Sequence, residues 1–459
     1  MPSELQSLAF DPADPKAALA QLPQWPAVFV LYGADARVEP YIGRTPNLRA
    51  RLQRLLQPSA KHPRRLQLAG LVRRIEWRLT GSEFESLLVQ FDLLEKAHGA
   101  KCLERMHLRA PAFVRFFGSN PYPRVTVTFR PGLREADWAY GPFPSRAAAE
   151  RYAEEMLKLF LLRRCSDDLA PDPTYPGCVY SEMKMCLAPC FKGCTDERYA
   201  EEAAAVESFL ATRGESRLVT LRAQREHASE NLEFESAAAL HAQVQRVEAV
   251  RALAAELVRP LSHLRAVILQ AAANPGEVAV FLYEQGRLRG PAAFPTLGMR
   301  IQNEQSGSTS LFAQPMVVEP IAETGTEGTR EQGTEEQEIE RQASGIRDRG
   351  SESSDSETTE GSLLGSGTQA PAAGKVPRSL LESRLEAALA ELSAHARPPS
   401  STIRQGHLAL LKRWYYRPEA RRTGEIFFPD ADGRWPVKPI LRGVGRVAAE
   451  KLRDPGSLA

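Results

Sequence analysis

Cysteine is scarce in this chain of 459 residues, and the few cysteines are not spread along it. Of the six cysteines, five lie between Cys165 and Cys194. So local a distribution excludes a disulfide framework running through the whole fold. In a reducing compartment, such a cluster indicates a metal site rather than disulfides.

Long apolar runs are also missing. No stretch approaches the roughly 18 apolar residues that a membrane-spanning helix needs, and the first residues lack a basic segment followed by an apolar one. A general excess of one charge is missing too, because the net charge is +2 with 25% charged residues. We therefore predict a cytoplasmic protein without a membrane partner, in which any nucleic-acid surface is local.

The chain is too long for one core, and its composition and patterning change several times. We predict an α+β multidomain protein with a small α/β domain, a cysteine-cluster segment, a helical hairpin and a long disordered linker. The predicted segments are a tail (1–23), the small α/β domain (24–108), connecting strands and a helix with the cysteine cluster (109–200), a helical region (201–255), a short α/β segment (256–302), the disordered linker (303–376) and a small C-terminal region of unknown role (377–459).

The α/β domain carries a strong local excess of positive charge. Between residues 44 and 78 there are ten basic residues and a single acid, Glu76. Phosphate is the natural partner of such a face, because bound cations release its counterions. The alternative is a solvated helix surface. The predicted DNA-binding residues are Arg44, Arg49, Arg51, Arg54, Arg64 and Arg65.

Residues 31–52 (LYGADARVEPYIGRTPNLRARL) resemble the GIY-YIG nuclease module, in the version found in the UvrC family of excinucleases. The resemblance implies a role in nucleotide excision repair of DNA. It also implies a site where a tyrosine acts near the nucleophilic water, a helix arginine steadies the scissile phosphate and a glutamate holds one divalent metal. The residues that match this motif are Tyr41, Gly43, Arg44 and Arg51.

Three positions depart from the family's pattern. The tyrosine of the first half-motif is Phe29, which can neither donate nor accept a proton. Gln90 stands at the position of the metal-binding glutamate, and a neutral amide is a much poorer Mg²⁺ ligand than a carboxylate. Cys102 stands where the family often has an asparagine. We therefore predict a degenerate nuclease site, with Mg²⁺ or Mn²⁺ as a cofactor only if the site is active.

Two other interpretations stay open at this point. The first is an active, metal-dependent endonuclease that makes a single incision, with Asp92 or Glu95 in place of the family's glutamate. The second is a metal-stabilised scaffold protein without a DNA role.

Four of the clustered cysteines form a candidate metal-ligand set. They are Cys165, Cys178, Cys186 and Cys190. Thiolates suit zinc or an iron-sulfur cluster, and the spacing alone does not separate the two. The flanking segments 141–145 (GPFPS), 159–165 (LFLLRRC) and 185–190 (MCLAPC) resemble the UvrC segment that carries a four-iron cluster, which favours iron-sulfur over zinc. Cys194 is an extra thiol, either a bystander or a substitute ligand.

Residues 225–250 resemble the UVR motif, a helical hairpin through which the UvrC family binds UvrB. Its apolar side chains are too few to bury a core alone and would gain by packing on a partner, although a bundle within this chain is the alternative. The predicted partner contacts are Asn231, Leu232, Phe234 and Leu240. The resemblance to the family extends from about residue 24 to 300, and no second nuclease is found in residues 377–459.

Overall fold

The computed structural model describes residues 5–35, 37–57, 68, 70–130, 138–166, 169–296, 377–394 and 398–453. These residues belong to one compact unit that contains helices and three antiparallel sheets, which confirms the α+β class. The predicted linker, 303–376, lies outside the described residues.

The first sheet is formed by the amino-terminal region. Its elements are β1 (Gln6–Ala9), α1 (Pro15–Gln21), β2 (Ala27–Gly33), β3 (Tyr41–Thr45), α2 (Leu48–Leu56), β4 (Val72–Leu79), α3 (Glu83–His98) and α4 (Cys102–Arg105). The strand order is β1-β4-β2-β3. Residues 27–31 of β2 are all buried, as expected of a continuous apolar run, and α2 covers one face of the sheet with its leucines.

Residues 1–23 were predicted as a tail, but the part that the structure describes belongs to this domain. β1 pairs with β4 along its whole length. Asp14 caps α1, and Leu19 and Leu22 are buried in the core beside it. A strand of four residues and a helix of seven are too short for their apolar periodicity to be recognised in the sequence.

The second sheet and its covering helices follow. Their elements are β5 (Ala112–Phe116), β6 (Val125–Thr128), β7 (Ala139–Phe143), α5 (Arg146–Leu157), α6 (Val179–Glu182), α7 (Asp196–Ala211), α8 (Glu215–Glu230), α9 (Phe234–Ala252) and β8 (Arg259–Pro260). The strand order is β6-β5-β7-β8. Ser145 caps α5 by accepting a hydrogen bond of 3.1 Å from the backbone N–H of Ala148, and Met156, Phe209 and Val247 join the strands in one core.

The third sheet combines two distant parts of the chain. Its elements are β9 (Ala266–Ala271), β10 (Glu277–Glu284), β11 (Arg287–Pro295), α10 (Arg378–Ser393), α11 (Ser401–Tyr415), β12 (Glu425–Phe427) and α12 (Val437–Arg453). The strand order is β11-β10-β9-β12, so a strand from the C-terminal region completes the sheet. Residues 377–453 therefore pack as a continuation of residues 256–296, where the structure describes them, rather than as a body apart.

The two faces of this third sheet are covered by different helices. Ile268 and Phe281 share a core with α3 and α11 on one face. Val267 and Leu282 share a core with α10 and α12 on the other face. Among the described residues, no helix combines the length and the apolar character needed to cross a bilayer.

Candidate functional site

The two segments that resemble the half-motifs of the GIY-YIG module lie side by side on β2 and β3. The strands are antiparallel, with Phe29 opposite Gly43 and Leu31 opposite Tyr41. Alternate residues of a strand share a face, so these four positions lie on the same side of the sheet. The rings of Phe29 and Tyr41 have centroids 6.1 Å apart, and Phe29 is fully buried.

Gly43 allows a close contact with the Phe29 ring. A Cβ at position 43 would lie 2.7 Å from Cζ of Phe29. In a tyrosine, Cζ carries the hydroxyl, so Phe29 presents only a carbon and its hydrogen here. The contact between the half-motifs is therefore apolar, and Tyr41 is the phenol of this pair.

α2 begins immediately after β3 because Asn47 caps it. The Asn47 side chain accepts a hydrogen bond of 2.9 Å from the backbone N–H of Ala50. Leu48 and Leu52 are buried against the sheet, and Arg51 flanks them, partly buried. Among the described residues, none forms a hydrogen bond or ion pair with the Arg51 guanidinium.

Glu83, the first residue of α3, is bound by two arginines. Arg44 on β3 forms an ion pair with it at 3.4 Å, and Arg417 donates two hydrogen bonds of 2.8 and 2.9 Å. The hydrogen bonds from Arg417, together with the charges of Arg417, Arg44 and Arg413, hold the pKa of the Glu83 carboxyl below its usual range. Glu83 is therefore ionised at neutral pH, and its carboxylate is already bound by Arg44 and Arg417.

Gln90 lies seven residues after Glu83, hence two turns further along the same face of α3 and about 10 Å away. Its side chain is partly exposed. Of the two carboxylates considered as substitutes, Asp92 has Oδ1 3.6 Å from Nε2 of His407, and Glu95 is partly buried. The polar side chain that α3 presents at the predicted metal position is thus an amide.

Cys102 is a core thiol. It is fully buried in the cluster formed by α3 and the third sheet, together with Leu94 and Phe113. Burial raises the pKa of the thiol, which therefore stays protonated at neutral pH. The position aligned with the family's asparagine does not face solvent.

The basic residues of the first domain have different environments. Arg44 and Arg54 are exposed, whereas Arg49 is partly buried and donates from Nε to the carbonyl of Leu22 at 2.6 Å. Arg74 stacks on Tyr32, and Arg78 lies in the interior beside Glu85 at 3.6 Å. Arg64 and Arg65 lie outside the described residues. Among the basic residues that the structure describes, the exposed positive charge is therefore smaller than their number implies.

Four cysteines of the second region surround one small cavity. They are Cys165, Cys178, Cys186 and Cys190. The first follows α5, the second precedes α6, and the other two flank a loop in which Ala188 adopts a left-handed backbone conformation. The fold therefore brings the four predicted cysteines, which are spread over residues 165–190, around one cavity.

Nitrogen donors point at two of these sulfurs. Arg163, which is 1% exposed, donates from Nη1 to Sγ of Cys165 at 3.4 Å. The backbone N–H of Ala188 donates to Sγ of Cys186 at 3.3 Å. Hydrogen bonds to sulfur are the means by which proteins tune and orient thiolate ligands.

The four thiols that line the cavity are soft donors, which both zinc and iron-sulfur clusters take as ligands. Burial, and the neighbouring thiols, raise the pKa of Cys186 to about 11, so this thiol needs a metal to ionise at neutral pH. Among the described residues, no three or more His, Cys, Asp or Glu are grouped as they would be around a metal ion. In a four-iron cluster each cysteine would bind a different iron, so four thiols around one cavity are the ligand set that such a cluster would take.

Cys194 lies outside this arrangement. It is partly buried and packs against the second core, and it does not line the cavity of the other four thiols. Burial, followed by the charge of Asp196, raises its pKa. The structure therefore favours the prediction of a bystander over that of a substitute ligand.

The predicted partner-binding hairpin is formed by α8 and α9. Leu232 and Phe234 in and after its turn are 71% and 69% exposed. Leu240 is partly buried against the second core, and the Asn231 amide contacts Nδ1 of His227 at 3.1 Å. Two of the four predicted contacts are thus free for a partner at the tip of the hairpin, whereas Leu240 also serves the fold.

No local pattern of the sequence predicts the arginines that α11 and the loop after it bring to α3. Arg417 and Glu83 are 334 positions apart, and no local pattern connects them. The sequence signal nearest to this arrangement is the basic and aromatic run at 412–417. That run does not indicate which residue its arginines contact.

Comparisons with known proteins agree with the amino-terminal resemblance. Residues 114–209 match the family described as UvrC/Cho excinuclease, middle domain. The UvrABC system protein C of Alcanivorax borkumensis is 32% identical over 239 residues, which are 52% of this chain and 39% of that protein. That of Symbiobacterium thermophilum is 28% identical over 298 residues, which are 64% of this chain and 46% of that protein. The matched region thus spans less than half of these relatives, and no solved structure matches the chain significantly.

Proposed function

We propose that this chain, whose residues 114–209 match the UvrC/Cho excinuclease middle domain, is a nucleotide-excision-repair protein that binds DNA and a UvrB-type partner but cleaves DNA poorly or not at all. We also propose that the protein is located in the cytoplasm. The observation that carries the proposal is the apolar contact between Phe29 and Gly43, in a module whose α3 presents Gln90.

The residues that match the nuclease motif support DNA binding more than DNA cleavage. Arg44 is exposed and the Arg51 guanidinium is unengaged among the described residues, so both are able to contact a phosphate. Tyr41 retains its hydroxyl beside the buried Phe29. An Mg²⁺ ion would supply charge neutralisation for the leaving and attacking oxygens, but Gln90 is a weak ligand for it and Glu83 is held by arginines.

The other two elements supply attachment and stability. Exposed Leu232 and Phe234 at the hairpin tip would pack on a matching apolar surface of the UvrB-type partner. Cys165, Cys178, Cys186 and Cys190 would hold a four-iron cluster, or zinc as the alternative. A bound cluster would link the segment that follows α5 to the loop that precedes α7.

A nicking assay tests the proposal directly. The full chain is incubated with a supercoiled plasmid carrying lesions, with Mg²⁺ or Mn²⁺, alone and with a UvrB-type protein. We expect binding that weakens steeply as salt rises, without strand cleavage. Cleavage that is lost in both Tyr41→Phe and Arg51→Ala would instead establish the active endonuclease. Absence of salt-dependent binding would establish the scaffold interpretation.

A further inference from the structure

Three arginines from two distant parts of the chain surround one carboxylate at the amino-terminal end of α3. Arg44 and Arg417 both contact Glu83, and the charge of Arg413 also acts on it. Arg44 and Arg413 are exposed. A single anion cannot neutralise three guanidinium groups, so the cluster has unsatisfied positive charge directed to solvent.

The position of this cluster follows from the packing of α11 on α3. Phe91 and His407 meet edge to face with centroids 5.1 Å apart, and Phe84 and Trp414 lie 5.4 Å apart. Gly406 is in close contact with the Phe91 ring, where a Cβ would clash. These contacts run the two helices past each other so that the last turn of α11, which carries Lys412 and Arg413, lies beside the start of α3.

The aromatic residues of the same segment are used by the fold. Trp414 is 3% exposed and donates from Nε1 to the carbonyl of Thr423 at 3.0 Å. The Tyr416 hydroxyl donates to the carbonyl of Pro142 at 2.8 Å. The Tyr415 ring is partly buried, with the Tyr416 ring 5.1 Å and the Arg422 guanidinium 5.3 Å away. All three rings thus pack within the fold, and the exposed group that this surface offers is the Arg413 guanidinium.

We propose that the C-terminal segment extends the phosphate-contacting face of the amino-terminal domain, with the exposed Arg413 binding the sugar-phosphate backbone of duplex DNA next to the phosphate contact proposed for Arg44, while Arg417 anchors the segment on Glu83. This inference rests on the proposed function and adds a second contact region to it. Contacts to phosphate carry no sequence information, so the surface binds duplexes of unrelated sequence alike. An acidic protein is the competing occupant, but the neighbouring Arg44 is on the predicted DNA face.

A salt titration of DNA binding by the full chain tests the inference. The logarithm of the binding constant is plotted against the logarithm of salt concentration for two unrelated duplexes. We expect Arg413→Gln to weaken binding to both duplexes equally at low salt and to reduce the slope by about one, because one phosphate contact contributes about 0.9. Arg413→Lys keeps the charge and should retain the slope.

Two further variants make the outcome unambiguous. Arg384 is exposed on α10, which covers the opposite face of the third sheet, so Arg384→Gln is a matched control that should leave the slope unchanged. Arg51→Gln tests the amino-terminal face alone. If Arg51→Gln lowers the slope while Arg413→Gln behaves like Arg384→Gln, the inference is overturned and the proposed function stands. If the unmodified protein shows no salt-dependent binding, both are overturned, and an acidic protein becomes the occupant to test.

Discussion

Arg417 binds Glu83 through two N–H···O hydrogen bonds of 2.8 and 2.9 Å, across 334 positions of sequence. Paired hydrogen bonds between a guanidinium and a carboxylate fix geometry as well as charge. The bond thus attaches the segment after α11 to the first turn of α3, and it holds Glu83 away from any role as a metal ligand. Its strength can be measured through the titration of Glu83.

We predict that Glu83→Gln lowers the free energy of unfolding at pH 7 by about 1 kcal/mol, a modest value because the pair is partly exposed. Since Arg417 lowers the pKa of folded Glu83 below its ordinary 4.5, the stabilisation is present above that value and is lost as the pH falls through the lower, folded pKa. The difference between the two proteins in urea unfolding should therefore shrink on acidification. Glu386→Gln, at an exposed position on α10, is the control and should show no such pH dependence.

Substitution of Gly43 tests the close contact between the half-motifs. A Cβ would lie 2.7 Å from the buried Phe29 ring, so Gly43→Ala should destabilise the protein by about 1 to 3 kcal/mol through overpacking. Gly445 lies within α12 and has no atom within 4 Å of its added Cβ, so Gly445→Ala should be neutral or stabilising. Thermal unfolding compares them. Equal midpoints for the two variants would contradict the close contact.

If Phe29 and Gln90 are the cause of poor DNA cleavage, replacing them with the tyrosine and glutamate of the family's motif should restore cleavage. We predict that Phe29→Tyr combined with Gln90→Glu gains Mg²⁺-dependent nicking of duplex DNA, whereas each single change gains little. The tyrosine supplies a hydroxyl beside Tyr41, and the glutamate supplies a metal ligand.

The control for this gain is the same double variant with Tyr41→Phe added, which should be inactive. The measurement is conversion of supercoiled plasmid to the open-circular form. If the unmodified chain already nicks the plasmid at the rate of the double variant, Phe29 and Gln90 are not the cause of a defect.

Local patterns predicted most of the elements that position the site. Apolar runs and caps are encoded within a few residues, and such local signals stand at the starts of β2, α2 and α3: the buried run from Ala27, the Asn47 cap and the Ser82 cap. The resemblance to a family supplied Phe29, Tyr41 and Gly43, and the strand register brings these three together.

Long-range pairings account for what the sequence did not reveal. β12 completes a sheet that starts at Ala266, and the ion pair of Arg417 with Glu83 depends on how α11 packs on α3. Strand pairing over such distances depends on burial of both faces, which no short window contains. Burial also decides which basic residues can contact a phosphate. Arg78 and Arg44 carry the same charge, but the Arg78 side chain is 13% exposed and the Arg44 side chain is 36% exposed.

The cysteine set predicts a defined loss of metal on substitution. In protein purified without oxygen, Cys186→Ser or Cys190→Ser should reduce bound iron and sulfide and the visible absorption band, because either change removes one of four ligands around the cavity. Cys102→Ser and Cys194→Ser are the controls, since neither residue lines the cavity. Zinc without iron in the unmodified protein would contradict the cluster and leave the fold unchanged.

The hairpin tip allows partner binding to be separated from stability. Leu232 adopts a backbone φ of 63°, a conformation that favours glycine, so Leu232→Gly removes the exposed side chain without straining the turn. Phe234→Ala removes the second exposed apolar group. We expect each change to weaken binding to a UvrB-type protein about tenfold, which corresponds to about 1.4 kcal/mol, while the unfolding midpoint is unchanged or raised.

Val219 provides the matched control for the tip. It is 59% exposed on α8, far from the turn, so Val219→Ala should leave the affinity unchanged if binding is confined to the tip. Calorimetry should also show a smaller negative heat-capacity change for the tip variants, because less apolar surface is buried on binding. Equal affinities for Leu232→Gly, Phe234→Ala and Val219→Ala would mean that the hairpin serves this chain's own bundle, since its exposed tip would then make no contribution to association.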